Sequence, residues 1–213
     1  MDFSIVEPQD AERAHQWHLG FAAANQSILP RSEAQFRELI ENGYVWSASE
    51  NRSYAGLAYC CPNQEVTEWE LGGLMVATRE LGHGIAAILA RLALINILVK
   101  ENPLSRDEKV IAHVLASNLA PRDLIERALR FAFVRRDSYP SKDLPGLPVN
   151  AQGMVEGDLF RMTNDSLSEL TSWCARAPTR LKDGRPLIIE FGTGYSFEVF
   201  AIALSRMTLT EEQ

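Results

Sequence analysis

Two glycines flank a histidine at Gly82-His83-Gly84, between a β-like run at 69–77 and an apolar run that starts near Ile85. That run carries Ile88, Leu89, Leu92, Ile95 and Leu98 at helical spacing and predicts an amphipathic helix. Small residues at a strand-to-helix turn let a ligand approach the backbone closely. The first N–H groups of a helix lack internal partners, and its dipole adds partial positive charge there. Such a turn can seat a pyrophosphate, or it can be a plain connection. No Lys-Ser/Thr ending follows it, which argues against nucleoside triphosphate hydrolysis. A dinucleotide fingerprint would need a third glycine, and none is present.

Proton-handling groups lie on the flanking strands. Glu70 and Glu68 share a face if their strand is regular. A carboxylate beside an apolar cleft has a raised pKa and can accept a proton near neutrality; a solvent-facing Glu is the plainer reading. His113, inside VIAHVLAS, either relays protons in a cleft or is a core residue. His15 and His18, with Glu12 nearby, have a spacing that can hold a metal, but no third ligand is evident and no metal is assigned. Cys60 lacks the Cys–His–Asp pattern of an acyl-cysteine enzyme. Gly72-Gly73 within a strand suits a bulge that frees a main-chain N–H, or simple flexibility.

The elements that would position these groups follow from patterning. Strands are expected at 3–7, 44–49, 54–61, 69–77, 109–117 and 158–162, with a further strand at 186–191. Helices are expected at 11–25 behind Asp10, 33–42 behind Ser32 and closed by Gly43, and 123–132 with Pro121 and Asp123 at its start. Two more are expected through Ala175, capped by Asp165 or Ser166, and at 195–207 after Gly192-Thr193-Gly194. That last turn is read as a plain strand–helix connection. The stretch 140–153 is rich in Pro and Gly and reads as a loop. Trp17, Trp46 and Tyr44 either line a groove or belong to the core.

Residues 70–86 resemble the acyl-CoA-binding motif of the GCN5-related N-acetyltransferase (GNAT) superfamily. That motif is a strand ending in an apolar-x-Val triplet, a Gln/Arg-x-x-Gly-x-Gly/Ala turn, then a helix. Leu74-Met75-Val76 supplies the triplet, ending five residues before Leu81, and the turn pattern falls on Leu81, Gly82, His83, Gly84, Ile85 and Ala86. Leu81 departs from the family's Gln or Arg. Arg79 could open the pattern formally but sits two residues too early relative to the strand. The order strand, helix, helix, three strands, helix, strand, helix, strand also matches the family over roughly 1–137. Ala132-Phe133-Val134 resembles the Gly-Phe-x that opens its next strand.

The resemblance implies an α/β (α+β) fold: a mixed, mostly antiparallel central sheet flanked by helices. Residues 1–139 would form the core, and 140–213 an extension that completes the sheet as an added subdomain or interface. It implies CoA-dependent acyl transfer, with acetyl-CoA as donor and a small-molecule amine or protein lysine as acceptor, attacked directly in a ternary complex. Glu70, eleven residues before Leu81, stands where some members place a catalytic Glu. The main-chain N–H of Met75 or Val76 would polarise the thioester carbonyl. Asn118 would contact the pantetheine arm or the loop around it, and Arg122 would stand on the cofactor side. The family often has a Tyr general acid midway along the following helix; here the aligned residue is Ile125 or Ala128, and neither can donate a proton. That gap keeps open a catalytically silent acyl-CoA-binding, regulatory or interaction domain of the same fold.

Composition bounds the rest. A 213-residue chain with 46% apolar residues can bury a full core. A net charge of −7 argues against a nucleic-acid surface, and no apolar run is long enough for a membrane span. No signal peptide is read at the start, and three cysteines make no disulfide framework, so a cytoplasmic location is expected. The tail could extend the sheet, cover the acceptor side, or form the interface of a homodimer.

Overall fold

In the computed structural model, which describes residues 1–63 and 67–209, one eight-stranded sheet runs through the molecule in the order β6-β7-β5-β4-β3-β2-β1-β8. Strands β1 (Asp2–Ile5), β2 (Val45–Glu50), β3 (Ser53–Asn63) and β4 (Glu68–Val76) pair antiparallel in turn. Helix α3 (Ile85–Lys100) then crosses over, and β5 (Lys109–Leu115) lies parallel to β4. Strand β7 (Met154–Arg161) inserts antiparallel between β5 and β6 (Ala132–Pro140). Strand β8 (Ile188–Glu190) runs parallel to β1 at the far edge. This is the mixed, mostly antiparallel sheet that the sequence predicts, and residues beyond 140 supply two of its strands.

Helix α1 (Ala11–Asn25) and helix α2 (Glu33–Glu41) pack together beside β3. A capping box starts α2: Ser32 accepts from the Gln35 N–H while the Gln35 side chain accepts from that of Ser32. Asp10 stands at the cap position of α1 but does not cap it, because its carboxylate pairs with Arg13 at 3.1 Å.

Helix α3 differs from the expected amphipathic helix. It is apolar nearly all round and almost wholly buried. One side meets β2, β3 and β4; the other is covered by α6 (Phe197–Leu204), which packs in turn on α5 (Asn164–Arg176). The C-terminal region therefore takes the side that a shorter chain would leave to solvent. The polar side chains on α3 find partners at the seams: Arg91 bonds the Ala128 carbonyl and Glu169, each at 2.9 Å, through Nη2, while its Nε is left without one, and Asn96 bonds the Gly43 carbonyl at 2.8 Å.

The helix expected at 123–132 starts earlier and ends sooner, as α4 (Leu119–Asp123) followed by one wide turn over Leu124–Ala128. Asn118 takes the cap position, so Pro121 lies within the first turn, where its missing N–H costs nothing. The Leu129 N–H reaches Leu124 instead of the residue four back, and Arg91 takes the Ala128 carbonyl, which closes the helix. Helix α5 is capped by Thr163; Ser166, read from sequence as a cap, is its reciprocal partner. Helix α6 begins behind Ser196. No helix among the described residues is long and apolar enough to cross a membrane.

Candidate active site

Strands β4 and β5 pair only through Glu68–Lys109, Trp69–Val110 and Glu70–Ile111, then part. The parting starts where β4 bulges. Between Leu57 and Tyr59 of β3, β4 advances from Met75 to Gly72, one residue more than its partner. Gly73 carries φ +56°, and a Cβ there would lie 1.9 Å from the Tyr59 ring. The Gly72-Gly73 pair therefore makes a bulge in which a ring lies directly against the backbone.

The parted strands enclose an opening of about 390 Å³. Leu71, Gly72, Gly73, Leu74 and Val76 line one wall, and Ala112, His113, Val114 and Leu115 the other. Leu81, Gly82 and Ala86 close one end, while Asn118, Pro121, Leu124 and Ile125 lie along α4 and its wide turn. Phe21, Ser27 and Ile28 reach in from the end of α1 and the segment after it. The lining is mainly aliphatic, and the Asn118 side chain has no partner among the described residues.

Main-chain direction in β4 follows from its ladder. The Ala77 N–H bonds the Ala55 carbonyl at 2.8 Å, so alternation turns the Met75 N–H toward Leu57 of β3. The same alternation turns the N–H group of Val76 toward the opening, while Gly73 and Leu74 lie in the bulge, where alternation is interrupted. Met75 is fully buried and absent from the lining, which corrects its expected part as a donor.

The turn after β4 is a short 3-10 segment, Thr78–Glu80, then Leu81 to Gly84, with φ +85° at Gly82 and +88° at Gly84. Both glycines hold a conformation that side chains disfavour. Ile85 opens α3 as predicted, and Leu81 is 60% exposed at the mouth of the opening. The His83 side chain turns away: its Nδ1 lies 3.0 Å from Arg185 Nη2, which donates to it.

Glu70 and His113, 43 residues apart, meet at the other end. Gly56 on β3 faces α3, where a Cβ would lie 2.8 Å from Leu89. Alternation puts Tyr59 and Cys61 on the opposite face, and their partners on β4 are Gly72 and Glu70. Ile111 is the β5 partner of Glu70, so His113 two residues on shares that face. His113 Nδ1 stands 3.2 Å from Glu70 Oε1. Their side chains are 33% and 31% exposed, which leaves both open to an incoming molecule. The hydrogen bond to Glu70 raises the His113 pKa above its ordinary value; burial opposes this, and Glu70, Asp137 and Glu68 add electrostatic support. Tyr139 lies edge-on to His113, with ring centres 6.4 Å apart.

Several expected residues fall elsewhere. Arg122 is committed to Asp158, at 2.9 Å, which also holds Arg136 at 2.7 Å, so it is no free cofactor contact. His15 and His18 grip the backbone of Arg31: His15 Nε2 bonds its carbonyl at 2.9 Å, and the Arg31 N–H donates to His18 Nε2 at 3.1 Å. No cluster of metal-binding groups occurs among the described residues. Cys60 is fully buried, and burial pushes its thiol far above the ordinary range, which removes it as a nucleophile. Trp46 and Tyr44 belong to the core, while Trp17 stacks on Phe21. Arg31, which no sequence motif singles out, bonds the Tyr59 hydroxyl at 2.9 Å and Cys61 Sγ at 3.1 Å on the Glu70 face.

No protein-family model matches the chain, and no curated protein is significantly similar in sequence. Solved structures do match it. The ribosomal-protein-S18-alanine N-acetyltransferase of Escherichia coli superposes with a TM-score of 0.51 at 19% identity, over 75% of this chain and 91% of that one. A GNAT-family acetyltransferase of Streptococcus pneumoniae gives 0.55 at 12% identity, over 75% and 98%. The protein yncA of Salmonella typhimurium, solved with its cofactor acetyl-CoA, gives 0.54 at 14% identity, over 75% and 91%. The chain has the fold of the GNAT acetyltransferases, and residues beyond 140 supply β7 within the sheet and β8 at one edge. At such identities the likeness establishes the fold, and the chemistry must be argued from this chain's own residues.

Proposed function

We propose that the protein is a CoA-dependent N-acyltransferase that moves an acetyl group from acetyl-CoA to a primary amine. The observation that carries this reading is one continuous opening lined both by the glycine turn and by His113, whose ring is held by Glu70. Its aliphatic walls suit a pantetheine arm. The N–H groups from Gly82 to Ala86 suit the pyrophosphate, with the α3 dipole behind them.

In this reading the amine nitrogen attacks the thioester carbonyl carbon. The carbonyl oxygen gains negative charge opposite the Val76 N–H, which strand alternation turns toward the opening. With Nδ1–H of His113 donating to Glu70, Nε2 carries a lone pair and takes the proton from the amine, directly or through water. The C–S bond then breaks. Leu124 and Ile125 offer no proton to the thiolate, so it leaves beside the Asn118 amide and is protonated by solvent. Glu68, Glu70 and Asp137 together favour an acceptor that arrives as a cation. A small polyamine-like molecule and a protein lysine both meet that description.

The test is thiol release from acetyl-CoA across a panel of primary amines, with Glu70→Gln as control. Saturable release that falls about 100-fold in that variant is the expected result. Leu81 in the turn and Ile125 on the helix favour a second reading, an acyl-CoA-binding domain without turnover. Tight CoA binding with no release for any amine would select it.

A further inference from the structure

The segment after α5 folds back on the glycine turn. Its hairpin is closed by the Leu181 N–H to the Arg185 carbonyl at 2.9 Å and by a bridge between Arg180 and Pro186. Two contacts fix it to the turn. Arg185 Nη2 meets Glu80 Oε2 at 2.6 Å, and the Lys182 N–H donates to the His83 carbonyl at 3.2 Å. The aliphatic stem of Lys182 then lies over Gly84: a Cβ built there would stand 3.2 Å from its Cγ and 3.6 Å from its Cε.

Arg185, the hairpin's other cation at the turn, is already held by carboxylates, Glu80 and, at 2.8 Å, Asp183. Arg79 pairs with Glu80 at 3.7 Å. Lys182 is exposed and has no carboxylate partner among the described residues. Its ammonium sits one bond beyond Cε, which lies 3.6 Å from where a Gly84 Cβ would stand. An anion seated on the N–H groups of the turn therefore comes within its range. Leu81, at the position where a basic or amide side chain would be expected, offers no such charge.

We propose that this hairpin is a wall of the CoA site and that Lys182 is its phosphate-binding residue, supplying from the C-terminal region the cation that the turn itself lacks. The inference rests on the acyl-CoA reading and adds a residue to it. The phosphate contacted is either the pyrophosphate or the 3′-phosphate, which present the same chemistry to an ammonium group.

The experiment is calorimetric titration of the full chain, wild type, Lys182→Ala and Lys182→Arg, with CoA, 3′-dephospho-CoA and pantetheine at several salt concentrations. Lys182→Ala is expected to weaken CoA about tenfold, the size of one charge-assisted contact, and to flatten the salt dependence. Pantetheine binding should not change, and Lys182→Arg should restore most of the affinity. A loss confined to CoA assigns the contact to the 3′-phosphate; an equal loss with dephospho-CoA assigns it to the pyrophosphate. If wild type and Lys182→Ala bind CoA equally, the inference is overturned while the site stands. If the wild type binds no CoA, the acyl-CoA reading fails and this inference with it.

Discussion

His113 keeps its extra proton to a higher pH than an ordinary imidazole because Glu70 accepts its hydrogen bond. The sign for catalysis follows. Below the raised pKa the pair is protonated and cannot accept a proton from the amine, so kcat/KM should rise with pH through an inflection above about 6.5. Glu70→Gln removes the largest cause of the raise, so the inflection should move down while kcat falls. A pH–rate profile of both proteins checks this, and an unmoved inflection would exclude the pair. The sign for stability is separate: a raised folded pKa contributes stability below about pH 6.5 that fades as pH climbs through the folded value. His18 runs the other way. Burial first, then His15 and Arg31, lowers its pKa to about 4. It folds neutral, so its contribution is complete above about pH 6.5 and is lost as pH falls toward its folded pKa, by roughly 3 kcal/mol in all. Denaturant titrations across that window should show the slope, and His18→Gln should flatten it. Glu70 is legible as a base candidate through the family resemblance of the turn, eleven residues on. Its pairing with His113 is not, because strand register across a crossover helix cannot be read from either strand alone.

The bulge in β4 is the element that opens the site, and two glycines in a β pattern were enough to suggest it. Its cause lies in packing that the sequence does not carry: the Tyr59 ring occupies the space a side chain at Gly73 would need. Gly73→Ala should therefore cost about 2–4 kcal/mol, from overpacking plus a left-handed backbone, read as a lower urea midpoint. A cost under 1 kcal/mol, the lower end of what overpacking alone brings, would mean that the ring moves aside freely. The starts of α1, α4 and α5 show where local signals mislead. Asp10, Pro121 and Ser166 are all good helix-start residues, yet Asp10 makes an ion pair, Pro121 sits within the first turn, and Ser166 is the partner of the true cap. Asp10 is drawn off by a residue of its own first turn, while Asn118 and Thr163 take the cap positions of α4 and α5.

Across the whole molecule, the C-terminal region does three jobs that its sequence could only suggest. Strand β7 completes the sheet beside β5, β8 extends it beside β1, and α6 covers α3. An all-round apolar α3 shows why a covering helix is needed, although periodicity within 85–98 looks amphipathic. Removing 187–213 should uncover that face, so the truncated chain should bind a hydrophobic dye and lose its cooperative melt. An unchanged melt would show that α3 needs no cover. The turn, the parted strands and the paired base are placed by three different crossings of the sheet, so the account depends on their forming one site for one ligand.

Calorimetric titration with acetyl-CoA tests that claim most directly, with Ala86→Glu as the control. Ala86 lines the opening one residue into α3, where a carboxylate suits the helix dipole but repels a pyrophosphate. Saturable one-to-one binding with a Kd on the order of micromolar is expected, lost in Ala86→Glu while its melting temperature holds. No heat at millimolar acetyl-CoA, or equal affinity in the two proteins, would contradict it.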